Sequence, residues 1–383
     1  MKSLVGVIIF LSTTVHANDY IYKIKKNLSP MKAQNVQRIL DKYKVRLSER
    51  KNTVKLNSKV AKELSKTKAF LYLEEDKIIS APVLNEFVGK ESFLKSSKRT
   101  EQTKGWHLDK INAREAWNTT QGDPKVIVAF CDSGIDKRQA VFKNKVLVGR
   151  NFIGRNSNTS HYTRYRRPNT HGTSVAAFIA GDYTPAQDNG GIAPGVSLLP
   201  GLITNGSGST STSRIINCIE WATAKGAKVI NVSITGSTTN AARSAAKEAF
   251  KNGSIVVWSS GNGNRELAAN PLEEMIVVGG TDKDDKRYLS GSYGSSFGAS
   301  LDVMAPGEGV YVPWGNHTRI NGTSFSAPIV SGAIALIYSF DPSLTPSEVV
   351  SSLTSTARKL GPSEFFGAGL VDVGAAIEML KNR

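Results

Sequence analysis

The sequence predicts an α/β protein: a doubly wound, mostly parallel sheet with helices on both faces, preceded by a small α+β domain. Three observations predict it. From Gly105 onward the apolar, β-branched runs "KVIVAF", "KVLVG", "VSLLPGLI", "KVINVSI", "SIVVWSS" and "MIVVGG" lack polar alternation, so they read as strands buried on both faces. Between them, "HGTSVAAFIAG", "STSRIINCIEWATAKG" and "NAARSAAKEAFKNG" have helical spacing, and each ends in the glycine expected just past a helix C-terminus. The chain has 383 residues and is 40% hydrophobic, enough for one large core and a second unit.

In chain order, Lys2 precedes the apolar run "LVGVIIFL", and small residues at Val15 and Ala17 make residues 1–17 read as a signal peptide cut after Ala17. Residues 4–12 are too short to span a bilayer, which takes about 20 apolar residues. No later segment reads as a span either, so a secreted or periplasmic protein free of the membrane after signal cleavage is expected. Residues 18–82 read as the small basic α+β unit: a strand near "YIYKIKK", a helix around "MKAQNVQRILDKY" and a late strand in "AFLYLEEDKIIS". Residues 83–104 are polar and weakly periodic, an exposed linker open to cleavage, and residues 105–383 form the main domain.

The net charge of +17 raises nucleic acid as a partner. Its distribution argues otherwise. Residues 1–82 hold 17 Lys/Arg against 7 Asp/Glu, a balance of +10 that leaves only +7 for the rest. With no basic motif interleaved with aromatics, a solvated surface is the expectation. Cys131 and Cys218 are too few for a disulfide scaffold or a structural zinc site. Export would permit a bridge, but two buried thiols are expected, because the sequence carries no distance between them.

In doubly wound sheets active sites gather at the carboxyl ends of the strands. Three segments carry chemistry there. Asp132 ends "KVIVAF" and its cysteine; His171 opens the helix "HGTSVAAFIAG"; Ser324 opens the helix after "NGTSFSAP". Each alone is ordinary, a turn carboxylate, a structural histidine, a helix cap. Together they form a set with a purpose. A serine hydroxyl is a weak nucleophile unless a base takes its proton, imidazole has the pKa for that, and a carboxylate fixes its tautomer. A helix N-terminus under Ser324 supplies free N–H groups beside a developing oxyanion, and Asn262 of "VVWSSGNGN" supplies a second donor. There is no G-x-G-x-x-G, G-x-x-x-x-G-K-[ST] or H-E-x-x-H pattern, and Gly322-Thr323-Ser324-Phe325-Ser326 lacks the G-x-S-x-G elbow. A non-catalytic binding protein on the same fold is the rival reading.

The order Asp, His, Ser in "DSGID", "NTHGTSVAAFIAG", "SSGNG" and "NGTSFSAPIVSGAIALI" resembles the subtilisin-type serine peptidases, and the likeness runs on through "SLDVMAPG" and "GAGLVDVGAAI". The resemblance implies a serine endopeptidase acting on proteins through an acyl-enzyme, with no cofactor and as a monomer. It also implies that residues 18–82 are an inhibitory propeptide, with a junction near Ala81-Pro82 or within residues 83–104. Substrate-binding positions then fall on Ser233, Ile234 and Thr235 of "NVSITG" and on Ser260 and Gly261.

Three departures bear on function. Thr235 stands where the family usually has glycine, which narrows the first specificity pocket. Phe325 replaces a methionine after the nucleophile. Val141 and the short stretch "GDYTPAQDNGGIAP" stand where the family binds a tight calcium ion, and valine offers no oxygen ligand, so that site is expected to be absent. Arg150, Arg155, Arg164, Arg166 and Arg167 crowd the loop before His171. They are either a solvated face or a cleft rim favouring acidic substrates.

Overall fold

The structure is a computed structural model that describes residues 18–25, 27–47, 53–80, 104–160, 170–205, 208–236, 239–267, 271–315 and 318–383. The expected signal peptide, nearly all of the linker, Ala81-Pro82, and Arg164, Arg166 and Arg167 lie outside the described residues. The chain divides into two compact units that meet in sequence at Lys77 and Ile78.

In the first unit, β1 (Asn18–Ile24) lies between β2 (Thr53–Leu56) and β3 (Phe70–Glu75), antiparallel to both. Helices α1 (Pro30–Lys42) and α2 (Ser58–Lys66) complete it. Pro30 fits the first turn of α1, where its missing N–H is not needed, and Ser29 Oγ accepts from Lys32 N–H at 3.4 Å. Val36, Ile39 and Leu40 recur at helical spacing and pack with Tyr22, Leu56, Val60 and Leu64 in a core of its own.

The second unit opens with β4 (Ile78–Ser80), then α3 (Trp106–Lys110) and α4 (Ala113–Trp117). Next come β5 (Ile127–Asp132), β6 (Arg150–Asn151), α5 (His171–Ala180), β7 (Ser197–Leu202), β8 (Ser209–Ser211) and α6 (Thr212–Ala224). Then follow β9 (Val229–Val232), α7 (Asn240–Lys251), β10 (Ile255–Ser259), β11 (Met275–Thr281), the hairpin β12 (Leu289–Ser290) and β13 (Tyr293–Gly294), and β14 (Val303–Pro306). The pair β15 (Val310–Tyr311) and β16 (Arg319–Ile320), then α8 (Thr323–Phe340), α9 (Pro346–Ser355), α10 (Ser363–Phe366) and α11 (Val373–Lys381), finish it.

Seven strands form one parallel sheet in the order β14-β11-β10-β9-β5-β7-β6. After β5 the chain builds the β7-β6 flank and then returns to β9 on the other side. The strand order therefore reverses between β5 and β9, the place where such sheets open a crevice at their carboxyl ends. Asp132 ends β5, and Ser233 directly follows β9. Helices α5 and α8 pack together in the main core; all ten residues of α5 are buried, and so are Thr323 to Tyr338 of α8. Helix α8 is long and apolar enough to cross a membrane, contrary to the sequence reading, but 89% of its apolar window is buried inside this fold.

Three further expectations are corrected. "KVLVG" is not a strand: Val146 makes a single bridge to Leu198, Val148 is 77% exposed, and pairing resumes only at Arg150. The run lies at the sheet's edge, where one neighbour suffices for so short a contact. The late strand "AFLYLEEDKIIS" breaks at Asp76 and Lys77, so Phe70–Glu75 belongs to the first unit and Ile78–Ser80 pairs antiparallel with β8 in the second. The two cysteines are not free thiols: Cys131 and Cys218 are joined, with Cα atoms 6.1 Å apart. Cys131 on β5 sits beneath α6, and its partner across the strand pair is Gly201, where a Cβ would come within 2.3 Å of Cys218 Sγ. The missing side chain at Gly201 is what admits the bridge, a three-way fit that no reading of separate positions supplies.

Candidate active site

Strand β5 delivers Asp132 to the crevice, almost fully buried. Its Oδ1 accepts from the N–H of Ser133 at 2.6 Å, and Ser133 Oγ accepts from the N–H of Gly172 at 3.0 Å, which ties the strand end to the first turn of α5. His171 opens that helix and turns Nδ1 toward Asp132, 2.9 Å from Oδ1 and 3.0 Å from Oδ2. Both side chains are 2% exposed. A two-oxygen contact through Nδ1 leaves Nε2 as the nitrogen able to exchange a proton with a substrate or nucleophile.

Ser324 is the second residue of α8, whose cap position is Gly322, so the serine is not a helix cap. Gly322 has φ of +135°, and a Cβ there would meet Asn262 Nδ2 at 3.1 Å. Glycine thus gives α8 its entry and keeps the amide's surroundings open. Ser324 Oγ donates to the carbonyl of Ser233 at 3.1 Å, and Ser233 Oγ donates to the carbonyl of Ser324 at 2.8 Å. Asn231 Nδ2 donates to Ser233 Oγ at 2.9 Å, and Ser331 Oγ donates to Asn231 Oδ1 at 3.0 Å. A buried polar chain of this kind fixes the first turns of α8 against β9. Next to it the ring of Phe325 packs on His171, centroids 5.4 Å apart, which brings the base and the serine's helix together.

Asn262 follows β10. Its Oδ1 accepts from the N–H of Thr323 at 2.9 Å and from Thr323 Oγ1 at 3.0 Å, while Thr323 Oγ1 accepts from the N–H of Gly261 at 3.1 Å. With its oxygen committed, Asn262 presents Nδ2 as a donor.

The structure thus brings Asp132, His171, Ser324 and Asn262 to one crevice. The substrate-binding positions divide. Ser233 is wholly buried and bonded to Ser324; Ile234 is buried, and its carbonyl takes the indole N–H of Trp258. Thr235 is half-buried, beside Gly261, and Ser260 is buried with Oγ 3.4 Å from Ser295 Oγ. Sequence reasoning missed Thr323, Ser133 and Asn231. They act by holding the central groups, and only the spacing of "NGTS" and "DSG" around those groups hinted at them. Of the arginines in the described part of the loop, Arg150 lies over the ring of Phe152, and Arg155 is in the left-handed region with φ of 55°.

Val141 packs against the core, and Asp188 of the short loop accepts from Arg114 Nη2 at 2.6 Å, with Asp109 and Tyr183 also on that guanidinium. These acceptors raise the guanidinium's pKa despite its partial burial.

Residues 123–369 match the subtilase family, Peptidase S8. Subtilisin DY of Bacillus licheniformis is 39% identical over 267 residues, 66% of this chain and 91% of the relative. Subtilisin E of Bacillus subtilis is 33% identical over 336 residues, 84% of this chain and 79% of the relative. Among solved structures, fervidolysin from Fervidobacterium pennivorans, described as a keratinolytic enzyme related to subtilisin, superposes over 94% of this chain and 61% of its own, with a TM-score of 0.64 at 20% identity. The family match spans the strand end, both helices and the crevice between them, and the chain therefore belongs to the subtilases, as a serine-type endopeptidase.

Proposed function

We propose that Ser324 is the nucleophile of this endopeptidase, His171 its general base and then acid, and Asp132 the group that orients the imidazole and stabilises its protonated form. The carrying observation is the buried two-oxygen contact of Asp132 with His171, on the helix that packs against the one bearing Ser324. In attack, Ser324 Oγ leaves the Ser233 carbonyl, bonds to the scissile carbonyl carbon and passes its proton to Nε2. The new oxyanion is met by Asn262 Nδ2 and the Ser324 N–H at the positive end of α8. Nε2 then protonates the departing amine, and water repeats the sequence to free the acid.

Residues 18–82 act as an intramolecular inhibitor that the enzyme removes. This reading is supported by β4, which already lies as an added strand on β8, the mode by which extended peptides bind sheet edges. A methyl on Gly236 would meet Ile79 Cδ1 at 3.5 Å, so the strand reaches toward the segment that follows β9. The substrates are proteins met outside the cytoplasm after export, and the working form is a monomer. No tight calcium ion is needed, since Arg114 is the cation of that loop.

The test is labelling of the purified enzyme with a fluorophosphonate probe beside Ser324→Ala, with peptide mapping. The expected result is one adduct, on Ser324, absent from the variant. A folded, propeptide-free protein that takes no label would overturn the assignment.

A further inference from the structure

The structure points to a positioning residue outside the crevice: we propose that Arg287 holds the loop after β10 in the shape that aims Asn262 Nδ2 at the oxyanion, and so contributes to turnover rather than to substrate binding. The proposal rests on Ser324 and Asn262 having the roles given above.

An oxyanion donor must lie about 2.7–3.1 Å from the oxygen it stabilises, which leaves Asn262 little freedom of placement. The residue is held from two directions. Thr323 on α8 fixes its side-chain oxygen, and its backbone carbonyl accepts from the N–H of Gly294, the last residue of β13, at 3.1 Å. The carbonyl of Gly294 in turn takes the N–H of Asn264 at 2.9 Å. The pairing runs on: Ser296 N–H donates to the Gly261 carbonyl at 2.9 Å, and Leu267 N–H to the Phe297 carbonyl at 2.7 Å. Residues 261–267 thus lie along residues 294–297, and this pairing sets the backbone from which the Asn262 amide projects. A Cβ on Gly294 would come within 2.6 Å of the Tyr288 carbonyl oxygen, so the approach admits no side chain there.

Arg287 bridges the two sides of that pairing. Its Nη1 donates to Asn264 Oδ1 at 2.9 Å and to the carbonyl of Ser295, and its guanidinium lies over the rings of Phe297 and Phe365, 4.9 and 5.7 Å from their centroids. One side is firm. Ser295 is wholly buried, and its Oγ accepts from the N–H of Gly280 in β11 at 3.0 Å. The other side needs support. Asn264 has φ of 45°, a left-handed conformation that a residue with a side chain keeps only where its surroundings hold it. The bond from Arg287 supplies that hold. Without it Asn264 relaxes, its N–H leaves the Gly294 carbonyl, and the adjoining Gly294 to Asn262 bond slackens with it. Charge pairing does not explain the placement: the guanidinium is half-buried, and burial lowers its pKa with no carboxylate opposing the shift. A charge kept there at a cost, its donors spent on neutral acceptors, secures geometry.

The experiment measures kcat and KM of the mature enzyme on one peptide substrate for Arg287→Met, Asn264→Ala, Asn262→Ala and the double variant Arg287→Met with Asn262→Ala. Active sites are counted by fluorophosphonate titration run to completion, so that misfolded protein is excluded. Methionine keeps an apolar stem and removes the donors; Asn264→Ala removes the acceptor and leaves the charge of Arg287 in place, so a loss there reports geometry. Each of these two should lower kcat about tenfold with KM nearly unchanged, inside the roughly 10²-fold that a 1 Å misplacement costs. Asn262→Ala should lose more, about 10²–10³, a figure that comes from a subtilisin itself. The double variant should match Asn262→Ala within about twofold, since a donor that is gone cannot be misaimed. An unchanged kcat in Arg287→Met overturns the proposal. So does an effect confined to KM, or a tenfold loss that persists in the Asn262→Ala background, which would make Arg287 a support of the fold at large. If Asn262→Ala alone leaves kcat unchanged, or if no form titrates with the probe, the role of Asn262 or of Ser324 fails, and this inference with it.

Discussion

The two units of the chain are stabilised by different means. Among its described residues the first, ending at Lys77, has three strands, two helices and a core cluster of ten buried side chains, and its Lys42–Glu63 ion pair, at 3.3 Å, is largely solvent-exposed. A unit of about 60 residues buries too little surface to be more than marginally stable, and an exposed pair adds little. The second has a seven-stranded sheet, a buried disulfide beside Asp132, and Arg114 shared among Asp109, Asp188 and Tyr183. The difference fits the proposed roles of the two units, a first unit to be removed and a site carried by the part built to persist.

The largest way to break this comparison is to remove the bridge. Joint Cys131→Ser and Cys218→Ser substitution frees a loop spanning a sequence separation of 87 and should cost the second unit about 3–5 kcal/mol, read as a lower denaturant midpoint. Amide protection in the first unit should not change. Equal losses in both would mean that they unfold as one.

Next in size, Leu64→Ala empties a fully buried position in the first unit. It should cost about 2–5 kcal/mol, near that unit's whole stability. Hydrogen exchange on the full chain should show residues 18–77 losing protection while β5, β9 and β10 keep theirs.

The smallest effect sharpens the comparison through pH. His107 is fully buried in the second unit, its Nε2 3.1 Å from the Gly190 carbonyl, and burial pulls its pKa from 6.5 down to about 4. Folded His107 is thus neutral where the unfolded chain takes a proton. Its contribution is complete above about pH 6.5 and is lost as pH falls toward 4, by up to about 3 kcal/mol. His107→Leu should flatten that part of the pH dependence of the second unit's denaturation midpoint and leave the first unit's unchanged; an equally steep fall in the variant would exclude His107 as its source.

Much of this was legible in the sequence because local chemistry wrote it there. Strands buried on both faces announce themselves as unbroken apolar runs, and Asp132, His171, Ser324 and Asn262 sit at strand ends or helix starts, where a single residue's surroundings can be inferred. What was not legible depends on distance between parts remote in sequence. The bridge required Gly201 opposite Cys131, and the hold on Asn262 required Thr323, 61 residues away. "KVLVG" has strand composition but only an edge to pair with. The break at Asp76-Lys77 separates two pairing partners, β1 and β8, that lie far apart in the chain.

The Cys131–Cys218 bridge also has a topological consequence. It turns the stretch that carries His171 and the arginine-crowded loop into a closed ring. A peptidase is exposed to its own activity, and cuts fall first in exposed loops. A nick anywhere from Asp132 to Asn217 leaves both ends joined through sulfur, so Asp132, His171 and Ser324 remain on one covalent assembly. Such a molecule would run as a single band until it is reduced.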